Sequence, residues 1–129
     1  MLVQGEQLRQ WIEEAIGQEI PLPTTFIGKL GPDGLPVCVA AFADWRVFDV
    51  EVYLWSAGRL HRDFLRRIKA YAFDELHVRY VRARAAADQP EWIDMMQRMG
   101  FVHEGTQRGG YDGDIDLLWF GVKPEEFIL

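Results

Sequence analysis

The chain has 129 residues, of which 49% are hydrophobic and 26% charged; it is too short for two ordinary domains, too apolar for disorder, and long enough to bury a core without disulfide or metal. Its formal net charge of −6 argues against a general nucleic-acid binder. The single cysteine, Cys38, excludes an internal disulfide and a cysteine-cluster zinc site and fits a reducing, cytoplasmic setting. No apolar run approaches the ~20 residues of a membrane helix, and Glu6, Arg9, Glu13 and Glu14 break up Met1 to Ile20, so neither anchor nor signal peptide is expected.

Glu6 to Gln18 places Leu8, Trp11, Ile12, Ala15 and Ile16 at helical spacing, and Pro21 and Pro23 end the pattern. Thr24 to Leu30 and Leu35 to Ala43 are apolar or β-branched runs around Gly31-Pro32-Asp33-Gly34, which predicts a hairpin. Val47 to Trp55 alternates as a strand with one apolar and one mixed face. Ser56-Ala57-Gly58 then opens a long helix reaching Glu75, with Leu60, Phe64, Ile68, Ala72 and Leu76 at steps of four. Val78 to Ala86 is the next strand, and the intervening helix predicts that it runs parallel to the preceding one. Pro90 to Met99, stopped by Gly100, is a short helix. Phe101 to Arg108 and Ile115 to Val122 are final strands joined by the turn-rich Gly109 to Asp114, and Phe127-Ile128-Leu129 reads as a docking tail or a frayed end.

Charge is unevenly spread. Arg59 to Arg84 holds eight cations against three acids, +5 locally, which leaves −11 elsewhere. A cationic patch on an acidic protein suits a compact polyanion, and a solvated helix face has the same composition. His61, His77 and His103 lack metal-ligand spacing, so no metal is expected. Asp112-Gly113-Asp114-Ile115-Asp116 lacks the later glycine and glutamate of a calcium loop, and Cys38 sits within an apolar strand as an inert thiol.

The stretch from Val78 to Gly105, with Gly100-Phe101 and Glu104-Gly105 as its landmarks, resembles the strand, turn, helix and strand entry of the GNAT N-acetyltransferase superfamily. Tyr71 to Arg79 and the hairpin Phe26 to Val37 are similar to short acetyltransferase-like proteins encoded by bacteriophages. The resemblance implies one α+β domain over residues 1–129, with a mixed, mostly antiparallel sheet whose central parallel pair splays apart between flanking helices. It implies acetyl-CoA as cofactor and an amine as acceptor, with direct transfer in a ternary complex. The cofactor would lie along Trp55, Ser56, Gly58, Arg59, Leu60, His61 and Arg62 at the start of the long helix, and at Gln89, where the family often has Asn.

Departures from the family pattern are specific. The family's phosphate turn, Q/R-x-x-G-x-G/A, is reduced to Gly58, with Leu60, His61 and Arg62 crowding it and Arg59, His61 and Arg62 offering side-chain charge instead. Trp92 replaces a small residue, and Met96 replaces a Tyr that would protonate the leaving thiolate; methionine has no proton to give. The resemblance implies a carboxylate on the central strand as general base, and by alternation Glu51, on one face with Asp49 and Tyr53, is the candidate; a solvated strand face would carry the same residues. Three functions remain open at this point. One is an acyl-CoA-dependent N-acyltransferase of the bacteriophage type. Another is a noncatalytic virion or morphogenesis protein that keeps the scaffold for contacts with a phage or host protein. The third is a host-directed protein whose 17 acids outside the basic stretch engage a basic partner. An open groove between Trp55 and Ala85 distinguishes the first from a cleft filled by Leu60, Trp92 or Met96.

Overall fold

The computed structural model of the chain describes residues 1–128. Among these, seven strands form one sheet in the order β1-β2-β3-β4-β5-β7-β6. They are β1 Leu2–Gln4, β2 Thr24–Leu30, β3 Pro36–Ala43, β4 Asp49–Ser56, β5 Tyr80–Ala86, β6 Val102–Gln107 and β7 Leu117–Val122. Three α-helices flank it, α1 Arg9–Ile16, α2 Arg62–Ala70 and α3 Pro90–Arg98. Every neighbouring pair is antiparallel except β4 and β5, which run parallel. The fold is the α+β domain expected from the sequence.

Local chemistry accounts for the elements. At the β2–β3 turn Gly34 has φ +81° and donates its N–H to Gly31 at 3.0 Å, while Asp33 accepts the Leu35 N–H at 3.0 Å, so the glycine supplies the backbone angle and the aspartate the turn bond. Residues of β2 to β5 sort onto two faces by strict alternation. One face buries Ile27, Ala40, Val50, Val52, Val81 and Ala83 beneath α2 and α3; the other buries Phe26, Val39, Ala41 and Tyr53 beneath Leu8 and Ile12 of the N-terminal helical segment. The helix α2 presents Phe64, Leu65 and Ile68 to the core and continues into a π-helical turn, Tyr71–Glu75, that buries Tyr71 and Ala72.

Several features depart from the expectation. The helix begins at Arg62, not beside Gly58, because Ser56 to His61 forms a turn of its own. The three-residue β1 pairs with β2 without any sequence periodicity to announce it. Strand β7 lies between β5 and β6, so the last strand is interior and β6 forms an edge, with an irregular register between His103 and Gly105. Arg82 and Arg84 are not part of a helix-borne basic surface: both stand on the sheet and are matched by acids on β4 and the loop before it. Phe127 is core, 8% exposed and edge-on to Phe101, and the Ile128 N–H bonds Met99 at 2.8 Å; Leu129 lies outside the described residues.

Candidate active-site cleft

The parallel pairing of β4 and β5 covers Asp49↔Tyr80, Val50↔Val81 and Glu51↔Arg82 and then stops. Beyond it β4 continues to Ser56 on β3 alone and β5 continues to Ala86 on β7 alone. The strands diverge around a cleft of about 530 Å³, walled by the end of α1, the start of α3 and the β6–β7 loop at Tyr111.

The backbone groups released by the divergence are not equivalent. On β5, the Ala86 N–H donates to Gln89 Oε1 at 3.2 Å and the Arg84 carbonyl accepts the Trp92 indole N–H at 3.4 Å. Side chains from the start of α3 therefore cap that edge. On β4, Phe48 turns its carbonyl to β5, where it accepts the Arg79 N–H, and Ala57 turns its N–H to β3, where it bonds Val37. Alternation then directs the backbone groups of Leu54, past the last β4–β5 pair, toward the gap.

Strand alternation also divides the side chains. Toward α3 the wall is apolar, with Val52, Leu54, Ala85, Trp92 and Met95; toward α1 it carries Tyr53, Trp55 and Arg84. At the floor of the second half lies a charge cluster. Arg84 Nε is 2.8 Å from Glu51 Oε2, an ion contact, and Arg84 Nη2 donates to Tyr53 Oη at 2.8 Å. The guanidinium carbon lies 5.8 Å from the Tyr53 ring centroid and 5.5 Å from that of Trp119. Burial pushes the Glu51 carboxyl above the usual carboxylate range against the pull of Arg84, and it raises the Tyr53 phenol as well. The Tyr53 hydroxyl accepts the Arg84 Nη2 proton donor on its oxygen, and its proximity to Glu51 favours the ionised carboxylate. Burial disfavours the Arg84 charge, yet Tyr53 and Glu51 outweigh it and hold the group protonated.

Arg82, one pair deeper, is buried with Asp44 and Asp49 as ion partners. Burial is the main influence lowering its pKa, with the neighbouring Arg46 adding to it. It anchors the parallel pair where the strands still touch.

The expected site residues fall into three places. Trp55, Ser56 and Gln89 line the cleft. Glu51, 5% exposed, lies under it and reaches it through Tyr53 and Arg84. Gly58, Arg59, Leu60, His61 and Arg62 lie past the end of β4: Gly58 and Arg59 are exposed, Leu60 packs on the core, and His61 precedes the first turn of α2 without a side-chain cap. Ser56 Oγ organises this turn by donating to the Gly58 and Arg59 carbonyls at 2.9 and 3.1 Å. A Cβ at Gly58 would meet open space, so packing does not crowd the turn there.

Trp92 stands on the cleft wall, whereas Leu60 and Met96 do not fill the cleft; Met96 is wholly buried in the core. Tyr53 was visible only as a neighbour of Glu51, and Arg84 read as one more cation of the basic stretch. Its signal was opposite charge on adjacent strands: Arg82 and Arg84 share one face of β5 beside Asp49 and Glu51 on the same face of β4.

No family model matches the chain, and no curated protein matches it in sequence. Solved structures do match. A chimera of the spermidine N-acetyltransferase of Vibrio cholerae and hSSAT superposes with a TM-score of 0.72 at 12% identity over 96% of both chains. The fold is that of the GNAT N-acetyltransferases. A probable acetyltransferase matches with a TM-score of 0.65 at 22% identity, over 95% of this chain and 72% of its own. A dodecameric spermidine N-acetyltransferase from Vibrio cholerae gives 0.69 at 13% identity, over 93% and 74%. No helix among the described residues is long and apolar enough to cross a membrane, and no three His, Cys, Asp or Glu side chains there gather as a metal site.

Proposed function

We propose that this protein is an acyl-CoA-dependent N-acyltransferase that moves an acetyl group from acetyl-CoA directly to an amine held in the same cleft. The observation that carries this reading is the end of β4–β5 pairing at Glu51↔Arg82 and the open cleft of about 530 Å³ beyond it. When bound, acetyl-CoA supplies the acyl group already activated as a thioester. The residues present fit its arm: the Leu54 backbone is free to bond the arm's amides, and Val52, Ala85, Trp92 and Met95 form an apolar wall for its chain. Arg59 and Arg62, both exposed, would meet the diphosphate by charge in place of a glycine-rich turn.

Glu51 is the proton acceptor. Tyr53 takes the ammonium proton of the acceptor on its oxygen as its own proton passes to Glu51, and Arg84 fixes both groups in place. Met96, buried and without a proton to give, plays no part; water would protonate the departing sulfur and take in return the second proton that the nitrogen loses as the amide forms.

One observation favours a second reading, the noncatalytic scaffold of the phage-type proteins. At the first turn of α2, where an incoming diphosphate would seek free N–H groups, the Asp63 carboxylate already accepts the Phe64 N–H at 2.8 Å. Thermal unfolding with acetyl-CoA and CoA titrated to millimolar levels separates the two readings. The transferase reading expects a saturable rise in midpoint that Arg59→Glu and Gly58→Trp diminish. The absence of any rise would overturn it and direct attention to assembled particles.

A further inference from the structure

We infer that the α1 half of the cleft selects an α-amino acid with an apolar side chain as acceptor, and that Arg84 recognises its carboxylate. This rests on the acyltransferase reading and names the substrate class of that same site.

The charges lining the cleft are few. Arg84 and Glu91 are its ionisable carboxylate and guanidinium groups, and Glu91 belongs to the first turn of α3, on the opposite wall. In the α1 half the cation is therefore the group presented to a ligand, because Glu51, its counter-charge, lies beneath it and is 5% exposed. A polyamine would find a guanidinium where it needs carboxylates. A ligand carrying its own carboxylate finds a partner of the right sign.

Arg84 is also built to receive one. Its side chain is 37% exposed, it lines the cleft, and its Nε and Nη2 are fixed by Glu51 and Tyr53. The rings of Tyr53 and Trp119 both lie within cation–π range of the guanidinium. Nη1 makes no hydrogen bond among the described residues, which leaves a donor for a planar anion.

The spacing narrows the class further. Tyr53 Oη, which takes the acceptor's proton, is 2.8 Å from Arg84 Nη2. The point of proton removal and the point of anion recognition are adjacent, so amine and carboxylate must be adjacent on the ligand, as they are in an α-amino acid. The rest of the wall is apolar or aromatic. Ile16 and Trp55 line it, and Trp55 is itself fixed edge-on to Trp11 at a centroid distance of 5.9 Å, which suits an apolar side chain.

The test uses two products that differ only in the carboxylate, N-acetyl-L-phenylalanine and N-acetylphenethylamine, titrated calorimetrically into the protein without acetyl-CoA. The expected result is binding of the first about tenfold or more tighter than the second. Arg84→Gln should erase the difference. Arg84→Lys, which keeps the charge opposite Glu51 but not the fork, should keep the melting temperature and lose most of the preference. Glu51→Gln, which removes the negative charge behind Arg84, should bind N-acetyl-L-phenylalanine more tightly while acetyl transfer to L-phenylalanine falls; a purely structural ion pair would not give that split. Equal binding, no binding of either compound at millimolar concentration, or faster acetylation of phenethylamine or spermidine than of L-phenylalanine would overturn the inference. Because the calorimetry needs no cofactor, failure of acetyl-CoA to bind would sink the transferase reading separately.

Discussion

Lys29 Nζ lies 2.9 Å from each carboxylate oxygen of Asp63, tying β2 to the first turn of α2, and one of those oxygens also takes the Phe64 N–H. The hydrogen bond from Lys29 is the main influence holding the Asp63 carboxyl below its ordinary range. The helix end thus carries a built-in anion, which occupies the Phe64 N–H without a ligand. In other respects the cleft is open to a cofactor, so the two halves of the proposed cofactor path differ: the arm has a prepared edge, and the diphosphate has a competitor.

Asp63→Asn removes that competitor's charge while retaining an oxygen for the Phe64 N–H. Acetyl-CoA affinity should rise about two- to fivefold at low salt, the scale of a charge at a helix terminus, and the gain should shrink as salt screens it. Calorimetric titration at two ionic strengths checks both. Unchanged or weaker binding would mean that the diphosphate does not approach α2.

Glu51 gives a pH signature of stability. Its folded-state pKa is raised, chiefly by burial, so the folded protein holds this proton more tightly than the unfolded chain. The stabilisation from the protonated form is full below the ordinary carboxylate range and is lost as pH rises through the folded value. Glu51→Gln mimics the protonated group and should melt higher than the parent at pH 8, the gap shrinking as pH falls through the raised folded value and closed below about pH 4. Acetyl transfer by this variant should fall by about a hundredfold or more. Melting curves across pH against the parent read the first effect, and steady-state rates the second.

Met96→Tyr tests whether restoring a phenol at that position restores an acid. Met96 is wholly buried among α3 and the sheet, so the larger ring should cost about 1–3 kcal/mol of stability by overpacking and leave turnover unimproved. Urea unfolding measures the first, and a faster reaction would show that the ring reaches the cleft.

Gly100 has φ +104°, and a Cβ there would collide with the Glu126 carbonyl oxygen as the C-terminal segment passes. Gly100→Ala should therefore destabilise the protein by about 1–3 kcal/mol, from positive φ and from displaced backbone together. The Phe127→Ala variant, which removes the ring packed on Phe101, should cost about 3–5 kcal/mol. Chemical denaturation of both variants is the check.

Much of this was legible in residues with short-range reasons. Gly31 to Gly34 announced its hairpin, Pro90 and Gly100 bracketed α3, and the alternation of Val47 to Trp55 marked β4, which runs Asp49–Ser56. Strand β1 has three residues, too few for a period to register. The place of β7 between β5 and β6 is a long-range choice that no local pattern encodes. The same limit hid the core of the site. Glu51 and Arg84 are 33 positions apart, each alternates with apolar neighbours, and each alone reads as solvated; their meeting exists only once β5 lies beside β4. Met96 shows the converse, since its inability to donate a proton was plain from its chemistry while its burial required the packed helix.

The two ends of the sheet bear on how copies of this protein can associate. One is closed by β1, only three residues long, and the other by β6, whose register breaks between His103 and Gly105. A short strand offers little template, and a bulged one twists its free amides out of line with an approaching strand. The sheet is therefore poorly suited to growing sideways into ribbons or fibrils, and an assembly of several copies would have to be built through helices or loops.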